Sequence, residues 1–120
     1  MADRVLFISW GQTVRGAEER ALEVFNDALG ILGRMQQDGR IERFDVVLLN
    51  PNGEMGGYIE AFGTSGQLAA LQDDEDFVRN TIDAELCVDR MNHVMGYAED
   101  GVARMMGIYQ EAISKIPQRA

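Results

Sequence analysis

The sequence has few of the residues that build metal centres, nucleophilic sites and disulfide frameworks. Its 120 residues include one cysteine, Cys87, one histidine, His93, and two prolines. A single cysteine excludes an intrachain disulfide, and beside only one histidine it is usually a small core residue and not a nucleophile. The spacing of a phosphate-binding glycine loop or of a calcium loop is also missing. We therefore expect no bound metal and no cofactor.

Basic residues are scarce as well. The chain has 11 lysines and arginines against 20 aspartates and glutamates, which gives a net charge of -9. An excess of negative charge repels phosphate backbones and anionic lipid headgroups. The apolar run at residues 5–10 is too short for a signal-peptide core or a membrane-spanning helix. We expect a cytoplasmic protein with no nucleic-acid partner and no membrane partner.

Apolar residues are plentiful, at 46% of the chain, and their spacing predicts the secondary structure. A chain of this length and composition is expected to form a single domain spanning residues 1–120. Runs of β-branched and aromatic residues predict strands at residues 5–10, 44–49, 57–63 and 88–97. Apolar residues spaced by three and four predict helices at residues 17–37, 65–71, 77–86 and 102–116, the second of them capped by Ser65.

Two glycines, Gly30 and Gly33, lie inside the first predicted helix. Each costs about 1 kcal/mol relative to alanine in a helix interior, so a compensating advantage is expected. Their spacing by three places them on nearby sides of the helix, which predicts close packing against another backbone or room for a ligand.

The order of the elements is β-α-β-β-α-β followed by one more helix. This split βαβ arrangement predicts an α+β domain in which one antiparallel sheet carries its crossover helices on one face. The first two strands have apolar residues on both faces, so the other face of the sheet also needs a cover. Either the C-terminal helix of the same chain or the sheet of a second copy can supply it. The apolar stripe of the C-terminal helix is itself too continuous to remain in water.

Three features together resemble the dimeric α/β barrel superfamily: the split βαβ order, the hairpin after Asn50, and a run of Leu-Gln-Asp-Asp-Glu-Asp-Phe at residues 71–77 leading to a strand that ends at residues 94–97. The resemblance covers a ferredoxin-like core at residues 4–97, with residues 98–120 as an added C-terminal helix. The superfamily includes cofactor-free monooxygenases of the antibiotic-biosynthesis type, muconolactone-isomerase-like enzymes and small proteins of no known activity. The resemblance implies a homodimer whose two sheets pack face to face, each with a cleft between sheet and helices.

His93 is the first candidate for proton transfer, because imidazole titrates near neutral pH. Strand alternation groups it with Met91, Met95 and Tyr97 on one face of the last strand. The alternative is a histidine that is packed in the core or at an interface and has a structural role only.

Glu60 is the second catalytic candidate. It lies between Tyr58 and Phe62 on the third strand, and aromatic surroundings disfavour its charged form and make it a candidate general base. If Glu60 and His93 face one cleft, they form an acid/base or orienting pair. A solvent-facing glutamate or an interface ion pair is the alternative.

Three aromatic residues are candidates for ligand binding. Trp10 closes the first strand just before Gly11, at the mouth of any cleft between sheet and helices, where its ring can stack on a flat ligand. Its alternative role is an anchor packed under the following loop. Tyr58 and Tyr97 have the same two interpretations.

These observations lead to two hypotheses about function. In the first, the protein is a small homodimeric α/β barrel that binds an apolar or aromatic small molecule, as a cofactor-independent monooxygenase or isomerase. In the second, it is a non-catalytic dimerisation or regulatory module, and the same polar residues build the interface. Fold resemblance by itself does not separate them.

Overall fold

The computed structural model describes residues 2–117 and 119. In this part of the chain there are four strands and four helices. The strands are β1 (Arg4–Trp10), β2 (Arg43–Leu48), β3 (Gly57–Gly63) and β4 (Asn92–Tyr97). The helices are α1 (Glu18–Gln37), α2 (Ser65–Asp73), α3 (Glu75–Glu85) and α4 (Asp100–Ser114). The predicted C-terminal segment 98–120 includes positions 118 and 120, which lie outside the described residues.

The four strands form one antiparallel sheet in the order β2-β3-β1-β4. Strands that follow each other directly in the chain, β2 and β3, are joined by a hairpin, as predicted. The β1-to-β2 and β3-to-β4 connections each cross over one intervening strand and carry the helices α1, α2 and α3. The predicted α+β fold with an open antiparallel sheet is confirmed.

The hydrophobic core lies between the sheet and the helices α1, α2 and α3. Alternation along the strands turns Leu6 and Ile8 of β1, and Ile59 and Ala61 of β3, toward this side. The helices contribute the buried residues Ile31, Leu32, Met35, Leu68, Leu71 and Phe77. Full burial of one such aliphatic or aromatic side chain stabilises the fold by about 1.5–3 kcal/mol, so this interface holds the body of the protein together.

The opposite side of the sheet, which we call the open face, carries the other half of the alternating side chains. Strand register places Phe7 at its centre, between Glu60 on β3 and Val94 on β4. At one end of the face, the Arg43 guanidinium lies 3.8 Å from the centre of the Phe62 ring and pairs with Asp45 and Glu99. The members of the open face are Val5, Phe7, Ser9, Arg43, Asp45, Val47, Tyr58, Glu60, Phe62, Asn92, Val94 and Gly96.

Helix α4 extends away from the rest of the molecule. Its main contacts with the body are to β4, and Gly101 is its buried residue. Val102, Met106 and Tyr109 on its apolar stripe are 49%, 54% and 60% exposed. The radius of gyration is 17.1 Å, against about 14 Å for a compact chain of this length. Helix α4, one of the two predicted covers, therefore does not lie on the open face.

Two local predictions were wrong. Ser65 was expected to cap α2, but Thr64 does so: its Oγ1 accepts from the Gln67 backbone N–H, and the Gln67 side chain accepts from the Thr64 N–H. This reciprocal pair satisfies two backbone donors at once, which a cap one residue later would not do. The last strand was expected from residue 88 but begins at Asn92, because the chain turns through Arg90, whose φ is +49°.

The close packing expected at the helix glycines is not found within the described chain. A Cβ atom built on Gly33 meets nothing within 4 Å, and one built on Gly30 meets only the Arg34 side chain at 3.5 Å. Neither glycine permits a close approach of another backbone in this structure. Their cost to α1 is therefore not offset by packing within the described chain.

Candidate functional site

A cavity of about 380 Å³ opens between the sheet and helices α1 and α3. Its wall is mainly apolar, with Ile8 and Ile59 from the sheet, Phe25 and Ala28 from α1, and Ala84 from α3. Five side chains with polar groups also reach it: Thr13, Glu18, Asn80, Thr81 and His93. An apolar cleft with a few polar groups is the usual form of a small-molecule site.

Trp10 forms one wall of the cavity. Its ring lies edge-on to Phe25, with ring centres 5.7 Å apart at 65°. Gly56 and Gly57, at the start of β3, also lie beside the indole. A Cβ on Gly56 would lie 2.5 Å from a neighbouring backbone carbonyl oxygen and 3.1 Å from the indole, and one on Gly57 would lie 2.6 Å from such an oxygen and 2.8 Å from the indole. The backbone and the ring together therefore leave no space for a side chain at either position. The predicted location of Trp10 at a cleft between sheet and helices agrees with this structure.

The loop before these glycines is held in place by side-chain hydrogen bonds. Asn52 organises it, because its Nδ2 donates to the Asn50 and Met55 carbonyls and its Oδ1 accepts from the Glu54 and Met55 N–H groups. Two neighbouring loops tie it down further: Gln12 Nε2 donates to the Asn52 carbonyl at 2.9 Å, and an Arg90 nitrogen donates to the Gly53 carbonyl at 3.2 Å. The loop thus supports the backbone on which the Trp10 ring rests.

His93 reaches the cavity from β4. Its ring lies 5.7 Å from that of Phe77, and its Nε2 is buried with no hydrogen-bond partner in the part of the chain that the structure describes. Burial lowers the pKa of His93 below its usual 6.5, and the more distant Glu85 carboxylate opposes this effect. The imidazole is therefore neutral at pH 7, and its Nε2 can accept or donate one hydrogen bond, depending on its tautomer.

The other polar groups near His93 have partners within the fold. Asn80 Nδ2 donates to the Val24 carbonyl at 3.0 Å, and Thr81 Oγ1 donates to the Phe77 carbonyl at 3.0 Å. The first bond joins α3 to α1, and the second lies within α3. Among the polar atoms at the wall of the cavity, His93 Nε2 is thus the buried one that lacks a partner within the described residues.

Glu60 and Tyr58 lie on the open face, away from the cavity. Glu60 is directly opposite Phe7 on one side and Asp45 on the other, and the Tyr58 ring contacts the Phe7 ring at 5.1 Å. The conditional pairing of Glu60 with His93 is not found, because strand alternation turns their side chains to opposite faces of the sheet. Their assignment as catalytic groups stays a prediction.

Tyr97 lies at the end of β4, outside the cavity. The Arg4 guanidinium is 4.3 Å from the centre of its ring and the Arg104 guanidinium 5.6 Å. Of the five candidates named from the sequence, the structure therefore brings two, Trp10 and His93, to one cavity. It places Tyr97 between the sheet and the start of α4.

Several residues at the cavity were not identified as site residues from the sequence. Phe25 and Ala28 were assigned to the core stripe of the first helix, and Cys87 to the core. Cys87 is indeed buried, and it also lines the cavity. One sequence signal could have identified Asn80 and Thr81. They lie one helical turn after Phe77 and one turn before Ala84, so they share the side of α3 that faces the sheet. A stripe pattern shows which residues face inward, but not whether they fill the space.

Other kinds of site find little support. Among the described residues, no three histidine, cysteine or acidic side chains are arranged to hold a metal ion. In the same part of the chain, no helix has the length and apolar character needed to cross a membrane.

The chain matches no protein-family model and no curated protein. It is similar in structure to two structures of SnoaB, a cofactor-independent oxygenase from Streptomyces nogalater, with 16% identity, TM-scores of 0.62 and 0.55, and coverage of 82% of this chain and 95% of that one. A dimeric protein of unknown function and ferredoxin-like fold from Bacteroides fragilis has 14% identity and a TM-score of 0.59, covering 79% and 96%.

A putative antibiotic biosynthesis monooxygenase from Chloroflexus aurantiacus is also similar, with 6% identity, a TM-score of 0.56, and coverage of 80% of this chain and 93% of that one. Identities this low speak for the architecture and not for the activity. The resemblance stated from the sequence is confirmed at the level of the fold: the chain has the ferredoxin-like α+β fold found among these dimeric and monooxygenase-like proteins.

Proposed function

We propose that this protein binds a flat apolar or aromatic small molecule in the cavity between its sheet and helices. The observation that carries the proposal is His93 Nε2, buried at an apolar cavity with no hydrogen-bond partner among the described residues. Buried polar atoms without partners are rare, because each costs free energy. A hydroxyl or carbonyl group on a ligand would supply the missing bond, while Trp10 and Phe25 contact the rings.

The chemistry we propose for this site is cofactor-independent oxygenation. The neutral imidazole takes a proton from an acidic CH₂ group of the substrate. The electron-rich anion then reacts with O₂, so that the CH₂ carbon becomes a carbonyl and the second oxygen atom leaves as water. An isomerase would begin with the same proton transfer and return the proton to another carbon. The likeness of the fold to SnoaB favours the oxygenase.

The proposed active form is a homodimer in which the open faces of two sheets pack together. Phe7, Val47, Tyr58 and Val94 give this face an apolar centre that no helix of the described chain covers. Large apolar patches of this kind mark association surfaces. The Bacteroides fragilis protein of the same fold is described as dimeric, which supports a dimer here.

Ligand binding is tested with 2-naphthol, a flat aromatic compound with one hydroxyl. Trp10 is the only tryptophan of the chain, so quenching of its fluorescence reports on the cavity. We expect saturable quenching in the wild type, and an affinity at least tenfold weaker in His93→Gln. Tyr58→Phe is the matched control, because Tyr58 lies on the open face, and it should bind like the wild type.

Turnover is tested with anthrone, whose CH₂ group is acidic. Oxygenation consumes one O₂ per anthrone and yields anthraquinone and water, so an oxygen electrode and product analysis measure it. We expect His93→Gln to lose this activity and Tyr58→Phe to keep it. Binding without oxygen uptake would overturn the oxygenase and leave the binding function. Absence of saturable quenching would favour the non-catalytic dimerisation module instead.

A further inference from the structure

The apolar stripe of α4 has the spacing of a helix-pairing seam. Val102, Met106, Tyr109 and Ile113 are separated by four, three and four residues within α4. This is the seven-residue spacing that lets one helix pack along another. We refer to these four residues as the α4 seam.

Three of the seam residues are well exposed in this structure. Val102, Met106 and Tyr109 are about half exposed or more, and the contacts of α4 with the body are concentrated at β4. A 15-residue helix is marginal in water without tertiary packing. The elongated shape of the molecule, 56 by 37 by 22 Å, also leaves the length of α4 accessible to another molecule.

The charges of α4 fit a second copy of the same helix. The four positions that flank the seam are uncharged: Ala103, Met105, Gln110 and Ala112. The charged residues Asp100, Arg104 and Glu111 lie away from the seam on the helical repeat. Two identical helices can thus approach without placing like charges opposite each other, and the alanines allow their backbones to come close. A symmetric pair needs this kind of self-complementary surface.

We propose that α4 is an association helix that pairs in antiparallel orientation with α4 of a second copy. Antiparallel pairing opposes the two helix dipoles favourably. Antiparallel pairing also places the sheet-and-helix bodies of the two chains at opposite ends of the helix pair. In a parallel pair the helix axes are only about 8–10 Å apart, so the two bodies would collide at the same end. This contact is distinct from the sheet-to-sheet contact of the proposed dimer, so one chain can make both at once, and the assembly then exceeds two chains.

The orientation is tested by cross-linking variants that carry one added cysteine with a short bis-maleimide. In an antiparallel pair, Tyr109 near the middle of the seam lies close to its own copy, while Val102 lies roughly 15–20 Å along the axis from its copy. We expect Tyr109→Cys to form a covalent two-chain species. Val102→Cys, and Glu111→Cys on the far side of the helix, should remain single chains. The native Cys87 is buried, so the wild type is the background control.

Three results would overturn the proposal. Equal cross-linking of Val102→Cys and Tyr109→Cys would mean a parallel pair. No cross-linking of Tyr109→Cys, or equal cross-linking of Glu111→Cys, would mean that α4 does not pair through the seam. Circular dichroism checks that each variant is folded.

The helix contact and the sheet contact are separated by light scattering. We expect more than two chains in the wild type, two in Met106→Lys, two in Val47→Lys on the open face, and one in the double variant. Ser114→Lys, off the seam on α4, should keep the wild-type mass. A two-chain wild type that Met106→Lys leaves unchanged would overturn the helix pair. If the wild type has two chains and only Val47→Lys dissociates it, the sheet contact exists without the helix pair. Binding of 2-naphthol is measured separately in every variant, so that a failure of the helix pair is distinguished from a failure of the proposed function.

Discussion

Helices α1 and α4 carry similar apolar stripes and have opposite surroundings. Leu32 and Met35 of α1 are buried against the sheet, whereas Met106 and Tyr109 of α4 are more than half exposed. The difference comes from connectivity. Helix α1 joins β1 to β2 and must cross the sheet between them, while α4 follows the edge strand β4 with no later strand to return it to the sheet. An apolar stripe shows that a helix needs a partner surface, and the topology decides whether the same chain supplies it.

The largest expected effect comes from truncating one residue on each helix. Leu32→Ala removes a side chain with no exposed surface and should cost about 2–5 kcal/mol of unfolding free energy. Ile108→Ala on α4, at an off-seam side chain that is 46% exposed, should change it by less than about 0.5 kcal/mol, as for an exposed site. Urea denaturation of both variants at one chain concentration measures this. Equal losses would mean that α4 packs onto the body as firmly as α1 does.

A smaller effect is expected where α4 meets the body. A Cβ on Gly101 would collide with the Asp3 backbone carbonyl, while one on Gly107 meets nothing within 4 Å. Gly101→Ala should therefore cost about 1–3 kcal/mol through overpacking, and Gly107→Ala should cost nothing. The thermal midpoints of the two variants provide the comparison. A neutral Gly101→Ala would show that the junction moves freely.

The stability of the fold should also depend on pH, because His93 is packed on the buried side of the sheet. Burial lowers the His93 pKa in the folded state, so the unfolded chain binds the proton more readily. The stability should therefore be fully present above about pH 6.5 and fall as the pH falls from there toward the folded pKa. The thermal midpoint of His93→Gln should fall less over the same range. Parallel curves for the two proteins would contradict the burial of this imidazole.

The smallest effect concerns the helix glycines. Because a Cβ on Gly33 meets no neighbour, Gly33→Ala should stabilise the fold by up to about 1 kcal/mol. Gly107→Ala has the same local benefit, but α4 contributes little to the body, so its effect on the midpoint of global unfolding should be smaller. Calorimetry on the two variants tests this. A larger gain from Gly107→Ala would indicate that α4 unfolds together with the core.

Much of the architecture was predictable because it depends on local patterns. Helix α1 and strand β3 were predicted to within one residue, since apolar spacing and bounding glycines specify them without knowledge of the rest. The split βαβ order then limits the sheet to few topologies. The start of β4 was missed because the turn at Arg90 depends on its contacts with neighbouring loops.

The composition of the site depended on tertiary structure. From its sequence, Trp10 is at a strand end and His93 is a lone imidazole, and both could be named as candidates. Only the packed sheet decided that these two share a cavity while Glu60 and Tyr58 face the other way. The face of a residue follows from strand alternation, but the space left between layers depends on how side chains distant in sequence fit together. The sequence by itself determined the elements and their amphipathic faces, and the three-dimensional packing determined which faces are filled, hollow or left for a partner.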